Sequence, residues 1–89
     1  MARLWEADPR ASFGRRLGKS ALETGHTEDD PTCPDIWELD NGDVAVIGRD
    51  LTNTYLPHLP DGVSVGHDER LVVIPGKMLS SAKSDLPDA

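Results

Sequence analysis

The dipeptide Asn41-Gly42 is the feature that most constrains this chain, because it lies between two short apolar runs. Asn and Gly both tolerate the positive φ angles that a tight hairpin turn requires. The flanking segments are rich in β-branched and aromatic residues, as half-buried strands are. The sequence therefore predicts a β-hairpin over 35–49, closed by a two-residue type I′ turn.

The predicted turn also fixes a register for the hairpin. A two-residue loop places Trp37 opposite Val46 and Leu39 opposite Val44. Because side chains alternate between the two faces of a strand, these four apolar residues share one face. That face is the predicted core side of the hairpin.

An amphipathic helix is predicted over about 10–24, because Phe13, Leu17 and Ala21 recur at helical spacing. Pro9 suits the first turn of a helix. The opposite side of this helix is predicted to be a basic face made of Arg15, Arg16 and Lys19.

A third strand is predicted over 69–74, where the chain is almost continuously apolar. Short helices are predicted near 51–58 and near 76–83, each with apolar residues at helical spacing. Together these elements predict an α+β fold, in which helices pack on a small, mainly antiparallel sheet formed by the hairpin 35–49 and strand 69–74.

The length of 89 residues predicts a single small domain spanning 1–89. Residues 1–8 and 84–89 are expected to be flexible tails. The segment 25–34 is expected to be an acidic loop, since it has two prolines, three consecutive acids and no apolar period.

Composition argues for a cytoplasmic protein. Cys33 is the only thiol, so a disulfide-built secreted domain is not expected. No signal peptide and no membrane span are expected, because no apolar run is long enough for either. The net charge is −7, which argues against direct nucleic-acid binding because that needs cationic surface.

No motif for metal, cofactor or catalytic chemistry stands out. The candidate metal ligands are His26, Cys33, His58 and His67. They are not paired at the spacing that structural zinc needs. Phosphate-binding and nucleophile motifs are also missing. We therefore expect no metal and no cofactor, and we do not expect an enzyme.

Two long motifs carry a family resemblance. Residues 33–48 follow the pattern C-P-D-x-W-E-L-D-x-G-D-x-A-V-I-G, and residues 68–75 follow D-E-R-x-V-x-x-P. With the element Ser-Ala-Leu-Glu at 20–23, the chain resembles a family of small uncharacterised actinobacterial proteins. The members are similar to products encoded beside helix-turn-helix regulators. The resemblance implies an accessory regulatory role and transfers no catalytic residue.

Three functions stay open on this basis. The first is a non-catalytic protein–protein interaction module, whose partner could be a helix-turn-helix regulator and whose candidate surface is Arg15, Arg16, Lys19 and Trp5. The second is a DNA mimic that occupies a basic groove of a repressor. The third is a small ligand-binding or enzymatic domain near His58 and His67, with Asp68 and Arg70 close by in sequence.

Overall fold

The structure, a computed structural model, describes residues 4–20, 23 and 34–86. In chain order its elements are β1 (Phe13–Arg16), β2 (Asp35–Leu39), β3 (Val44–Ile47), β4 (Arg49–Asp50), α1 (Thr52–Tyr55), β5 (Val72–Val73) and α2 (Gly76–Ala82). A 3₁₀ turn follows each helix, at Leu56–His58 and at Lys83–Asp85. The predicted α+β class, with antiparallel pairing throughout, is confirmed.

The strands form two sheets and not one. A three-stranded sheet has the order β1-β2-β3, and β4 pairs with β5 in a separate two-stranded sheet. The predicted strand at 69–74 is therefore shorter and joins Arg49–Asp50, not the hairpin. The hairpin ends at Ile47. The short strand β4 follows it, and Val72–Val73 pairs with β4.

The predicted helix over 10–24 is wrong for its described part, where β1 stands instead. Two glycines explain the difference. A Cβ at Gly14 would lie 3.1 Å from the carbonyl oxygen of Glu38, and the β1–β2 register shifts at this point, as at a β-bulge. Gly18 has φ +77°, which ends the strand in a conformation that other residues rarely adopt. Residues 21, 22 and 24 of the predicted helix lie outside the described residues.

The predicted hairpin over 35–49 is confirmed in place, but its register is displaced by one residue. Ile36 pairs with Val46 and Trp37 pairs with Ala45. Only Gly42 has positive φ in the turn, so a type I′ turn is excluded. The Leu39 N–H donates to the Asp43 carbonyl at 2.8 Å, which gives a three-residue loop.

The displacement puts Val44 and Val46 on the face of Ile36 and not on that of Trp37. The predicted core side is wrong, because Ile36 is the buried residue of the hairpin. The buried core lies under α2 and consists of Leu17, Ile36, Met78 and Ala82, with Ile74 packed against it. Trp37 lies on the opposite face, because successive residues of a strand point to opposite sides.

The two short helices near 51–58 and 76–83 are confirmed as α1 and α2 with their 3₁₀ turns. Residues 84–86 are held to the body, since the Gly18 N–H donates to the Asp85 carboxylate at 2.7 Å. The tail predictions for 1–3 and 87–89, and the acidic loop 25–34 apart from Pro34, lie outside the described residues. No helix in the described ranges has the length and apolar character that crossing a membrane requires.

Candidate functional site

An aromatic cluster occupies the sheet face that points away from α2. We call it the aromatic face and define it by Phe13, Arg16, Asp35 and Trp37. The Phe13 and Trp37 rings are tilted by 56° with centroids 5.7 Å apart. The Arg16 guanidinium carbon lies 4.9 Å from the centre of the Trp37 ring, a cation–π contact. Register and strand alternation bring the four residues together, since Arg16 is paired with Trp37.

Asp35 holds Arg16 in this position. Arg16 Nε and one terminal nitrogen each donate to a different Asp35 oxygen at 2.9 Å, which is the two-point geometry that fixes a guanidinium plane. The Asp35 side chain is only 13% exposed, while that of Arg16 is 39% exposed. Arg16 therefore reaches solvent with its orientation already set.

The contact with Arg16 also affects the pKa of Asp35. Burial is the largest single influence and works to raise the pKa of Asp35. Hydrogen bonds from Arg16 and Trp37, with the Arg16 charge, outweigh burial and hold the pKa below its ordinary value. Asp35 is therefore a permanent anion at neutral pH.

Arg15, a predicted interaction residue, lies on the other face of the sheet. Its Nε donates to Glu38 at 3.1 Å and a terminal nitrogen donates to the Asp85 carbonyl at 2.6 Å. The guanidinium therefore ties β1 to β2 and to the 3₁₀ turn after α2. Because β1 is a strand, Arg15 and Arg16 point to opposite sides, and the predicted basic helix face does not form.

The other two predicted surface residues lie apart from the aromatic face. The Lys19 N–H donates to the Ser81 hydroxyl at 3.2 Å, at the contact between the end of β1 and α2. Trp5 is 63% exposed in the irregular segment before β1. Of the predicted set, the structure brings only Arg16 to the aromatic face.

Sequence reasoning missed Phe13 and Asp35 as members of a surface site. The helical spacing predicts that Phe13 lies in a helix core, yet Phe13 is 64% exposed. The available signal was the alternation of Asp35, Trp37 and Leu39, which share one face of a strand whatever the register of the hairpin. Only the partner strand, and hence Phe13 and Arg16, required the tertiary structure.

A polar groove with a volume of about 430 Å³ lies between α1 and the loop 65–70. Its wall is built on Thr52, whose hydroxyl accepts from the Leu71 N–H at 2.8 Å and lies 2.7 Å from an Asp50 oxygen. Hydrogen bonds from the Thr52 hydroxyl and the Thr52 backbone N–H to Asp50 are the main reason that the pKa of Asp50 lies below its ordinary value. His67 lines the groove, whereas His58 is not among its lining residues.

Most hydrogen-bonding groups of this groove have local partners. The Glu69 carboxylate accepts from the Gly66 N–H at 2.7 Å. Arg70 donates from one terminal nitrogen to the carbonyls of Glu69 and His67, at 2.6 and 3.2 Å. Of the predicted pair, His67 lines this groove and His58 does not.

Within the described ranges, no three His, Cys, Asp or Glu side chains converge as metal ligands would. Of the four metal-ligand candidates, His26 and Cys33 lie outside those ranges.

Comparison with known proteins gives no relative: no family model, no curated protein and no solved structure matches the chain. The resemblance to small actinobacterial proteins therefore stays a sequence-based expectation.

Proposed function

We propose that this protein is a non-catalytic interaction module that binds a protein partner through its aromatic face. The observation that carries the proposal is the Arg16 guanidinium, stacked on Trp37 and clamped by Asp35. Trp and Arg are enriched among the residues that dominate protein–protein binding energy.

The cluster has the properties of a preorganised contact. The Arg16 side chain is already ordered by Asp35, so less conformational entropy remains to be lost when a partner binds. Phe13 adds a large apolar surface at the edge of the cluster, with 64% of its area exposed. An ordered cation beside an exposed ring suits a partner surface with a carboxylate and an apolar patch.

The proposed partner is a helix-turn-helix regulator, which makes the protein an accessory regulatory module. This assignment rests on the resemblance to the family of small actinobacterial proteins. The members of that family are similar to products encoded beside such regulators. The net charge of −7 adds long-range attraction to a basic protein. Charge would speed the encounter, and the aromatic face would supply the specific contact.

The test captures partners from the native host with the tagged protein. The captured helix-turn-helix regulator is then titrated with this protein by calorimetry. We expect binding, and we expect Phe13→Ala and Arg16→Ala to weaken it by about tenfold or more, as central contact residues do. Leu79→Ala is the matched control, because Leu79 is 58% exposed on α2, away from the aromatic face. Binding that is absent, or equally weakened by Leu79→Ala, contradicts the proposal.

A small-molecule site in the polar groove is the second candidate function, favoured by the concave surface beside His67. The same titration shows which of the two surfaces the regulator contacts. His67→Ala leaves regulator binding unchanged if the aromatic face is the contact. Loss of regulator binding in His67→Ala, with Phe13→Ala unaffected, would move the functional surface to the groove.

A further inference from the structure

Strand β3 forms an open edge of the three-stranded sheet. The order β1-β2-β3 leaves its outer side without a partner strand among the described residues. Exposed edges usually carry lysine, proline or a bulge that prevents pairing with another chain. Here β3 is Val-Ala-Val-Ile, and Val44, Val46 and Ile47 are 50%, 44% and 51% exposed. Of the usual protective devices, this edge has only its short length of four residues.

The hydrogen bonds of the hairpin determine which backbone groups face outward. Leu39 and Asp43 form a hydrogen-bonded pair at the turn. In an antiparallel ladder such pairs alternate with non-bonded ones, so Ala45 and Ile47 use their backbone groups toward β2. The N–H and C=O groups of Val44 and Val46 therefore point away from the sheet.

Two copies of β3 can pair antiparallel only when outward residues oppose one another. With Val46 opposite Val46 of a second copy, Asp43 faces Arg49 of that copy, and the two-fold axis repeats the contact. A shift of two residues in either direction places Asp43 opposite Ile47 or Leu51 instead. Charge complementarity therefore selects the register centred on Val46.

Neither charged residue has a charged partner in the part of the chain that the structure describes. The Asp43 carboxylate has a neutral partner, the Asn41 amide at 3.2 Å. The Arg49 guanidinium forms no ion pair with any described residue. Between the two charges the chain is apolar, so pairing would cover exposed Val46 and Ile47 as well as joining opposite charges.

We propose that the protein self-associates as a symmetric dimer through β3, with Val46 on the two-fold axis and Asp43 paired with Arg49 of the second copy. The product is a continuous six-stranded sheet. The interface is a single short edge, which is typical of weak and reversible association. The proposal goes beyond the regulator contact, because it uses the sheet edge opposite β1 and none of the four residues of the aromatic face.

The first experiment is sedimentation equilibrium from about 10 µM to about 1 mM, a range that detects weak dimers. We expect the average mass to rise toward that of a dimer as concentration increases. Val46→Pro removes an outward N–H and leaves the bonds to β2 in place, so we expect a folded monomer. Its circular dichroism and melting temperature establish that the variant is folded.

A charge exchange tests the register without proline. Asp43→Arg and Arg49→Asp each place like charges opposite one another, and we expect each to weaken the dimer by about tenfold. The double variant restores opposite charges and should recover dimer affinity. Recovery is the result that a general loss of stability cannot produce.

A cysteine on the proposed two-fold axis gives an independent readout. In a Cys33→Ser background, Val46→Cys should form a disulfide-linked dimer under mild oxidation, and Asn53→Cys, exposed on α1, should not. A wild-type protein that stays monomeric throughout, a double variant without recovery, or equal cross-linking of the two cysteine variants would each overturn the proposal.

Discussion

At the residue scale, Asp35 links the candidate site to the stability of the fold. Its carboxylate accepts both hydrogen bonds that position Arg16 over Trp37. The same bonds lower its pKa in the folded protein, whereas the unfolded chain keeps the ordinary value. The unfolded state therefore binds more protons between these two values, and this contribution to stability rises with pH there.

We expect Asp35→Asn to lower the free energy of unfolding relative to wild type at neutral pH. The deficit should be full above about pH 5. It should disappear as the pH falls below the ordinary aspartate pKa of about 3.9 and through the lowered pKa. Urea denaturation of both proteins between pH 3 and pH 7 measures it. Because Glu23 and Asp50 have lowered pKa values in both proteins, the difference isolates Asp35. A deficit that does not change with pH contradicts this account.

At the scale of elements, the contact of β1 with α2 depends on Gly18. Its φ is +77°, and a Cβ there would lie 2.6 Å from the Ser81 hydroxyl and 2.7 Å from the Ala82 nitrogen. The strand end and the helix thus meet at a distance that only glycine allows. The neighbouring Leu17, 1% exposed, depends on this approach for its place in the core.

We expect Gly18→Ala to destabilise the protein more than Gly42→Ala does. Both positions have positive φ, which costs an alanine about 1–2 kcal/mol. An alanine at position 42 would meet open space and would carry only that backbone cost. An alanine at position 18 would also clash with α2. Thermal melts of the two variants give the comparison, and equal losses would show that α2 can move aside without cost.

The elements also show what the sequence could and could not predict. Asn41-Gly42 locates the hairpin correctly, and proline and apolar spacing locate α1 and α2. The register failed because Gly42 alone takes positive φ, and a three-residue loop follows. The helix prediction over 10–24 fails because the spacing of Phe13 and Leu17 is also compatible with a bulged strand.

For the candidate site, local sequence predicts half of the geometry. Asp35 and Trp37 share a face by alternation alone. The other half comes from Phe13 and Arg16, which arrive from a strand more than fifteen residues earlier. Pairings of this kind depend on long-range contacts that no local pattern encodes, as does the pairing of β4 with β5.

At the scale of the whole molecule, the described core is very small. Four side chains are buried, and Met78 and Leu17 are the largest of them. Small domains bury a modest fraction of their surface, so each core contact contributes a large share of the net stability. The link between α2 and the sheet is concentrated in Met78, which packs on Leu17 and Ile36.

We expect Met78→Ala to reduce the free energy of unfolding by roughly 2–5 kcal/mol, as truncation of a buried methionine does. Leu79→Ala, one residue along and 58% exposed, should change it by about 0.5 kcal/mol or less. Urea denaturation with a common slope compares them. Similar values for the two variants would mean that α2 is not packed as described.

The bond between Gly18 and Asp85 joins residues 67 positions apart, and the core beside it joins Leu17 to Ala82. During synthesis, therefore, β1 and the hairpin of β2 and β3 emerge before α2, and the hairpin can already form its local contacts. The core can close only after α2 has left the exit tunnel. Until then the apolar edge of β3 and the inner side of Ile36 are open to other nascent chains.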